Sequence, residues 1–184
     1  MIKYHKNMFY IPIFHLSVDN WNIKKTNLMK ILEESTIEKD SDDLHSSYYT
    51  EGEHGWNISK LKNISSILED ELKVFSQQFL FPSIQITSSW FEVAKKYECH
   101  GAHSHDSKGY VAVCYLQYDN TKHKPVTFIA PFKDFVTGCD LKYEVEDVEE
   151  GSIIFFPASI IHETKVNESN LDRIVVTLNM NVQQ

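Results

Sequence analysis

Cysteine and positive charge are both scarce in this sequence. Its 184 residues include three cysteines, Cys99, Cys114 and Cys139, which are widely spaced and form no Cys-x-x-Cys motif. An odd, dispersed set argues against a disulfide scaffold and favours a reducing compartment, so we expect a cytoplasmic protein. The 18 basic residues are outnumbered by 26 acidic ones, which gives a formal net charge of −8. A protein that binds the nucleic acid backbone normally carries a basic face, so this partner is not expected.

Long apolar runs are missing as well. No stretch of 18 apolar residues occurs, so we expect no transmembrane helix and no membrane partner. The first 14 residues mix Lys3, His5 and Lys6 with apolar residues and do not resemble a signal peptide. A hydrophobic content of 42% is that of an ordinary globular protein.

Helical periodicity is confined to the first 82 residues. The patterns predict an edge strand over 8–18, a helix over 21–35 and a long helix over 59–79, whose apolar residues recur at steps of three and four. The polar stretch 36–56 is predicted as a loop that covers the functional site.

Strand patterns dominate from residue 83 onward. About eight short segments are rich in β-branched and aromatic residues, and the clearest are 110–118, 125–130, 141–146, 152–156 and 173–181. This order predicts an α+β protein with a β-sandwich or jelly roll. We expect a single domain over 1–184, in which 1–82 is a helical support and loop region and 83–184 is the jelly-roll core that carries the site.

The densest group of metal-binding side-chain types is the segment His100-Gly-Ala-His103-Ser-His105-Asp106. On a strand, His103 and His105 would project from the same face, and with a third ligand from elsewhere they could bind a divalent metal. A lone His-x-His pair is more often part of a solvated loop, so the prediction depends on a ligand downstream. Cys99, four residues before His103, is a further candidate ligand but is disfavoured.

Two downstream residues complete the pattern. His162 follows the apolar strand and corner that begin at Gly151, where a rigid backbone would hold a ligand in place. Arg173 opens a strand in which Arg173, Val175, Thr177 and Asn179 share one face, and this mixed face is predicted to line a pocket. A guanidinium there would bind a carboxylate through two parallel hydrogen bonds. Alone, Arg173 would be assigned to a surface salt bridge; together with the histidines it indicates a ligand site.

These motifs resemble those of Fe(II)- and 2-oxoglutarate-dependent dioxygenases, which fold as a double-stranded β-helix. The resemblance is greatest to the prolyl-hydroxylase-like 2OG-Fe(II) oxygenase family common in phages and marine bacteria. That family's His-x-His-Pro segment leads into a Ser-Gly-Val-Tyr-Tyr strand, and here 103–106 leads at the same spacing into 111–116. Its Gly-x-x-x-x-Phe-Pro-x-x-x-x-His is matched by 151–162, and its Arg-Ile-Ser-Ile-Ala-Phe-Asn by 173–179. The second half of the chain is covered well, the first half only in outline.

The resemblance implies an enzyme that uses Fe(II), 2-oxoglutarate and O2 to hydroxylate a C–H bond of a peptide side chain or small metabolite. It implies that iron is held by His103, His105 and His162, and that Arg173, with Tyr115, binds the far carboxylate of 2-oxoglutarate. No catalytic residue beyond the metal centre is implied. A phage origin would place the protein in the host cytoplasm. The resemblance also allows a homodimer.

The sequence departs from the family pattern at one metal-ligand position and at one position that binds the co-substrate. His105 stands where most of the superfamily has Asp, and the adjacent Asp106 could be a ligand only through a bulge in the strand. Val175 replaces a residue that is often Ser, and Tyr115 could supply the missing hydroxyl. Trp90, Trp56 and the 36–56 loop are candidates for a substrate wall, although each is also explained as core or surface.

Two alternatives remain open at this point. The segment ending at His162 also resembles the second cupin motif, and cupin thiol dioxygenases use three histidines without 2-oxoglutarate. The first cupin motif, however, needs a Glu where Gly109 and Tyr110 stand, and it gives Arg173 no role. The second alternative is a non-enzymatic jelly-roll module that binds Zn, for which three histidines are also suitable ligands.

Overall fold

The protein is described by a computed structural model over residues 11–39, 44–52 and 58–183. Within these ranges three α-helices occur, α1 (Trp21–Glu33), α2 (Ile58–Ile67) and α3 (Glu69–Gln78), with a π-helical turn over Tyr48–Gly52. The strands are β1 (Phe14–Ser17), β2 (Glu38–Lys39), β3 (His45–Ser46), β4 (Ile84–Ala94), β5 (His100–His103), β6 (Tyr110–Gln117), β7 (Val126–Lys133), β8 (Asp140–Glu144), β9 (Ser152–Pro157), β10 (His162–Thr164) and β11 (Arg173–Val182).

Two antiparallel sheets form the jelly roll. The large sheet has the order β1-β9-β6-β11-β4-β3-β2, and the small sheet has the order β5-β10-β7-β8. The predicted α+β class with a double-stranded β-helix is confirmed. The short strand β1 lies at the edge of the large sheet, as the Pro12 upstream of it indicated.

Alternation along the strands of the large sheet creates two cores. On β6, Ala112, Cys114 and Leu116 face the helices, where they pack in a cluster that includes Phe75. The intervening residues face the small sheet and form a second cluster with Phe128 of β7. Because successive side chains point to opposite faces, one strand can serve both cores. The space between the sheets is therefore available for a site.

The prediction of one helix over 59–79 is wrong. The chain forms α2 and α3, which meet at Leu68, where φ is −99° and ψ is 17°. The first turn of α3 is Glu69-Asp70-Glu71, and acidic side chains are favoured at a helix N-terminus by the helix dipole. Glu71 also accepts hydrogen bonds from Lys24 Nζ and the Asp19 backbone N–H, which fix the start of α3 against α1.

The 36–56 segment is more structured than the predicted loop. It contains β2, β3 and the π-helical turn, and β3 pairs with β4 of the large sheet. Residues 40–43 and 53–57, including Trp56, lie outside the described residues. In the described ranges, no helix combines the length and the apolar character needed to span a membrane.

Candidate metal centre

Three histidine side chains meet at one end of the small sheet. The ring nitrogens of His103, His105 and His162 offer one donor atom each, and these atoms lie within 4.8 Å of one another. His103 ends β5 and His162 begins β10, and the two residues are direct partners in the antiparallel register. Backbone pairing therefore brings together two histidines that are 59 positions apart in sequence.

His105 reaches the cluster from a loop. The prediction that His103 and His105 share the face of one strand is wrong, because β5 ends at His103. The backbone N–H of His105 donates to the carbonyl of Ala158 at 3.0 Å, which anchors the loop to the end of β9. Its ring then reaches Asn179 on β11.

Each of the three rings has its Nδ1 beside an oxygen acceptor. The acceptors are the Gly101 carbonyl for His103 (2.7 Å), the Asn179 Oδ1 for His105 (2.7 Å) and the Ile160 carbonyl for His162 (2.9 Å). An Nδ1–H that donates to oxygen leaves a lone pair on Nε2, the state in which histidine binds a metal.

The Nε2 atoms are arranged for a shared cation. Those of His105 and His162 are 3.3 Å apart. Two lone pairs at this distance repel each other, whereas an ion about 2.0–2.1 Å from each nitrogen would bind both. Burial, followed by the charge of His103, lowers the pKa of His105 to about 4 and that of His162 to about 3. Both rings are therefore neutral ligands at pH 7. The donor set fits a divalent metal.

The adjacent carboxylate is not part of the cluster. Asp106 is exposed, and its Oδ1 accepts hydrogen bonds from the backbone N–H and the hydroxyl of Ser107. Cys99 is half-buried and also lies outside the group of three donors.

A small cavity, about 20 Å³ in volume, lies between two of the histidines and Arg173. His103, His162, Arg173 and Tyr115 line it together with apolar side chains, which are Ala94, Val113, Val126 and Val175. Arg173 is 4% exposed, and its Nη1 donates to the Lys165 carbonyl at 3.2 Å and to the Lys124 carbonyl at 3.4 Å. Arg173 is the first residue of β11, and these two hydrogen bonds hold its guanidinium in place.

Tyr115 supports the same end of the cavity. Its hydroxyl accepts a hydrogen bond from the Val126 backbone N–H at 3.0 Å. Burial raises the pKa of Tyr115, so the hydroxyl keeps its proton and can donate it to a ligand. The predicted mixed face of β11 does line this space, since Arg173 and Val175 both contact it.

Sequence patterns missed Glu92 and set His100 aside. Both side chains line the cavity. Burial raises the pKa of Glu92, but the contact and charge of His100 and the Trp90 N–H outweigh burial and bring it to about 2. The available signal was a charged residue in the otherwise apolar segment Trp90-Phe-Glu-Val-Ala94, where alternation places Glu92 on the same face as Trp90.

A second cavity also adjoins the histidines. It has a volume of about 220 Å³, and its described walls include Tyr48, Tyr49 and Trp90 beside His103 and His105. Tyr48 packs edge-on against Trp90 with ring centroids 4.9 Å apart. The predicted wall position of Trp90 and of the 36–56 segment agrees with this cavity.

Solved structures with the same fold are numerous. HygX from Streptomyces hygroscopicus, solved with nickel, 2-oxoglutarate and hygromycin B bound, has a TM-score of 0.68 at 12% identity over 92% of this chain and 82% of that one. A Pseudomonas putida prolyl-4-hydroxylase gives 0.61 at 11% identity over 94% and 93%. The collagen prolyl hydroxylase of Paramecium Bursaria Chlorella virus-1 gives 0.56 at 12% identity over 94% and 96%. At these identities the likeness establishes the fold.

The family is established by sequence. No curated protein matches the chain. A family model described as "Putative 2OG-Fe(II) oxygenase" matches residues 88–179, which is half of the chain and includes all three histidines, Tyr115 and Arg173. The match favours the dioxygenase interpretation over the cupin and non-enzymatic alternatives. The chain belongs to this family of Fe(II)- and 2-oxoglutarate-dependent oxygenases.

Proposed function

We propose that His103, His105 and His162 hold Fe(II), and that 2-oxoglutarate binds between these histidines and Arg173. Side chains there must move apart to admit it, because the cavity has a volume of only about 20 Å³. The observation that carries the proposal is the convergence of three histidine ring nitrogens within 4.8 Å of one another, in rings that each have Nδ1 beside an oxygen. Hydrogen bonds of this kind hold ligand rings in place and set their tautomer.

The chain's own residues then have separate tasks. The buried Arg173 pairs with the far carboxylate of 2-oxoglutarate, and the Tyr115 hydroxyl donates to it. The valines that line the cavity exclude water from this ion pair, which strengthens it. When bound, Fe(II) with 2-oxoglutarate supplies the oxidising chemistry that activates O2 for C–H hydroxylation.

The substrate is proposed to enter the second cavity. Tyr48, Tyr49 and Trp90 form an aromatic wall beside His103 and His105, so a bound C–H group would lie next to the metal. We propose a peptide side chain or a small metabolite, because a cavity of about 220 Å³ accommodates a group of that size. The net charge of −8 supports this choice over nucleic acid.

Wider features of the proposal follow from the fold. A single domain is supported by β1, β2 and β3, which come from the first half of the chain and pair within the large sheet. The three cysteines are free, which is in keeping with a cytoplasmic location. The homodimer stays a prediction.

An anaerobic titration tests the metal and co-substrate sites. Adding 2-oxoglutarate to the Fe(II) protein should produce a weak visible charge-transfer band. Arg173→Ala should weaken 2-oxoglutarate binding by roughly 10- to 100-fold, because the carboxylate loses its charged partner. A wild-type protein that shows no band and binds Zn tightly instead would contradict the proposal.

Matched variants separate the three-histidine site from one that uses a carboxylate. His105→Ala should abolish Fe(II) binding, whereas Asp106→Ala, one residue away, should bind Fe(II) as the wild type does. The opposite pair of results would make Asp106 the ligand.

A further inference from the structure

Two aromatic rings stack on two of the three metal-ligand candidates. The His100 ring lies on His103 with centroids 3.8 Å apart and an interplanar angle of 20°. The Trp90 ring lies on His105 with centroids 5.4 Å apart and an angle of 25°. Each stacked ring limits the tilt of the imidazole beneath it.

One carboxylate contacts both stacking rings. The Trp90 indole N–H donates to Glu92 Oε1 at 3.0 Å. The Glu92 Oε2 lies 3.6 Å from His100 Nδ1, and the carboxylate is 12% exposed. Since each oxygen serves a different ring, Glu92 couples the orientation of Trp90 to that of His100.

The position of Glu92 in the sheet explains how it can do so. It lies on β4 opposite Val175 of β11, on the face that is turned toward the small sheet. Trp90 precedes it by two residues on the same strand and therefore on the same face. Glu92 also supplies negative charge beside a donor set of neutral imidazoles, which brings no charge of its own to a divalent cation.

We propose that Glu92 is a positioning residue of the metal centre, which holds Trp90 and His100 against the ligand rings of His105 and His103. The inference rests on the proposed function, because it assumes that these histidines bind metal. It assigns a role to a residue outside the three proposed metal ligands.

The test is an equilibrium titration with Co(II), whose visible spectrum also reports coordination geometry. Glu92→Gln keeps the size of the side chain and an acceptor for Trp90 but removes the charge that faces His100. We expect Co(II) affinity to fall about tenfold or more, as is typical when a residue that supports a metal ligand is lost, with an altered visible spectrum.

Glu98→Gln is the matched control. Glu98 is also 12% exposed and pairs with a histidine, since its Oε1 lies 2.8 Å from His45 Nδ1. Its substitution removes the same charge but should leave Co(II) affinity within about twofold of wild type. A Glu92→Gln protein with wild-type affinity and spectrum, or an equal loss in both variants, would overturn the inference.

Two further variants keep the test decisive if Glu92→Gln does not fold. Trp90→Phe retains a stacking ring but loses the N–H bond to Glu92, and we expect a several-fold loss of Co(II) affinity. Trp21→Phe is its control, because the Trp21 indole also donates to a glutamate, Glu150, at 3.4 Å. Equal affinities of these two variants would count against the inference.

Failure of the proposed function gives a different result. In that case wild-type protein would bind Co(II) no better than His105→Ala does. If wild type binds Co(II), His105→Ala does not, and Glu92→Gln matches wild type, only the positioning role is lost.

Discussion

Buried histidines in this protein differ in what their second ring nitrogen contacts. His123 is 2% exposed, its Nδ1 accepts from the Asp119 backbone N–H, and its Nε2 faces the Leu171 carbonyl at 3.0 Å. Both nitrogens are thus committed to the backbone. The rings of His105 and His162 instead turn Nε2 toward another imidazole. His123 is structural for this reason, and the others are suited to a metal.

The burial of His123 predicts a pH dependence of stability. Burial lowers the pKa of His123 below its usual 6.5. A group whose folded pKa is depressed favours the folded state above its unfolded pKa, so its contribution is complete above about pH 6.5 and declines as the pH falls. His123→Asn should be less stable than wild type by roughly 1–2 kcal/mol at pH 7.5, because the bond to Leu171 is lost. This difference should shrink at pH 5.5 in urea unfolding.

Ser76→Ala is the control for this pH effect. The Ser76 hydroxyl donates to the Phe81 carbonyl at 2.8 Å, it does not contact His123, and it does not titrate. Its destabilisation should be the same at both pH values. A His123→Asn difference that stays constant or grows on acidification would contradict the depressed pKa.

Single residues could be predicted where chemistry and spacing coincide. His103, His105, His162 and Arg173 were predicted as one site because ligand types recur at intervals that a β-roll can bring together. Glu92 was missed because its partners are rings on another strand and on its own, and a linear pattern does not show which side chains stack. The acceptors of the Nδ1 hydrogen bonds could not be predicted from the sequence either, since two of the three are backbone carbonyls, which every residue has.

At the scale of elements, the strands were easier to predict than the helices. A dense run of β-branched and aromatic residues identified β6, because a strand between two cores is apolar on both faces. Alternation identified the two faces of β11. The break at Leu68 was missed because the apolar stripe continues across it: Ile64, Leu68 and Phe75 are all buried in one cluster. The contacts of Glu71 with Lys24 and Asp19 define the start of α3, and they depend on α1.

Because Lys24 forms the ion pair at the start of α3, we expect its substitution to lower the stability of the protein strongly. Lys24 Nζ lies 2.9 Å from both carboxylate oxygens of Glu71, which is 4% exposed. Lys24→Met should lower the free energy of unfolding by roughly 2–4 kcal/mol, because it leaves a buried carboxylate without its counter-charge. Denaturant unfolding at pH 7 measures the change.

Lys73→Met provides the comparison, because Lys73 lies in α3 and pairs with another glutamate of that helix. Lys73 pairs with Glu69 at 2.8 Å, but both side chains are 61% exposed. Exposed ion pairs contribute little to stability, so this variant should unfold almost as wild type does. Equal effects of the two lysine variants would mean that the α1–α3 ion pair does not stabilise the packing of the helices.

For the whole molecule, the site joins the two sheets. His103 and His162 belong to the small sheet, whereas Tyr115, Glu92 and Arg173 belong to the large one. A metal on the histidines and a 2-oxoglutarate that reaches Arg173 would therefore connect both layers of the jelly roll. Ligands that bind only the folded state raise its stability by mass action.

Thermal unfolding with Co(II) in place of Fe(II) tests this connection. At 100-fold above its dissociation constant, Co(II) should add about 2.7 kcal/mol, a rise in Tm of roughly 5–10 °C for a chain of this size. Adding 2-oxoglutarate should raise Tm again in wild type but much less in Arg173→Ala, whose Co(II) increment should be unchanged. Succinate lacks the keto group that binds metal and should give a smaller rise. Equal 2-oxoglutarate increments in both proteins would show that the co-substrate does not reach the large sheet through Arg173.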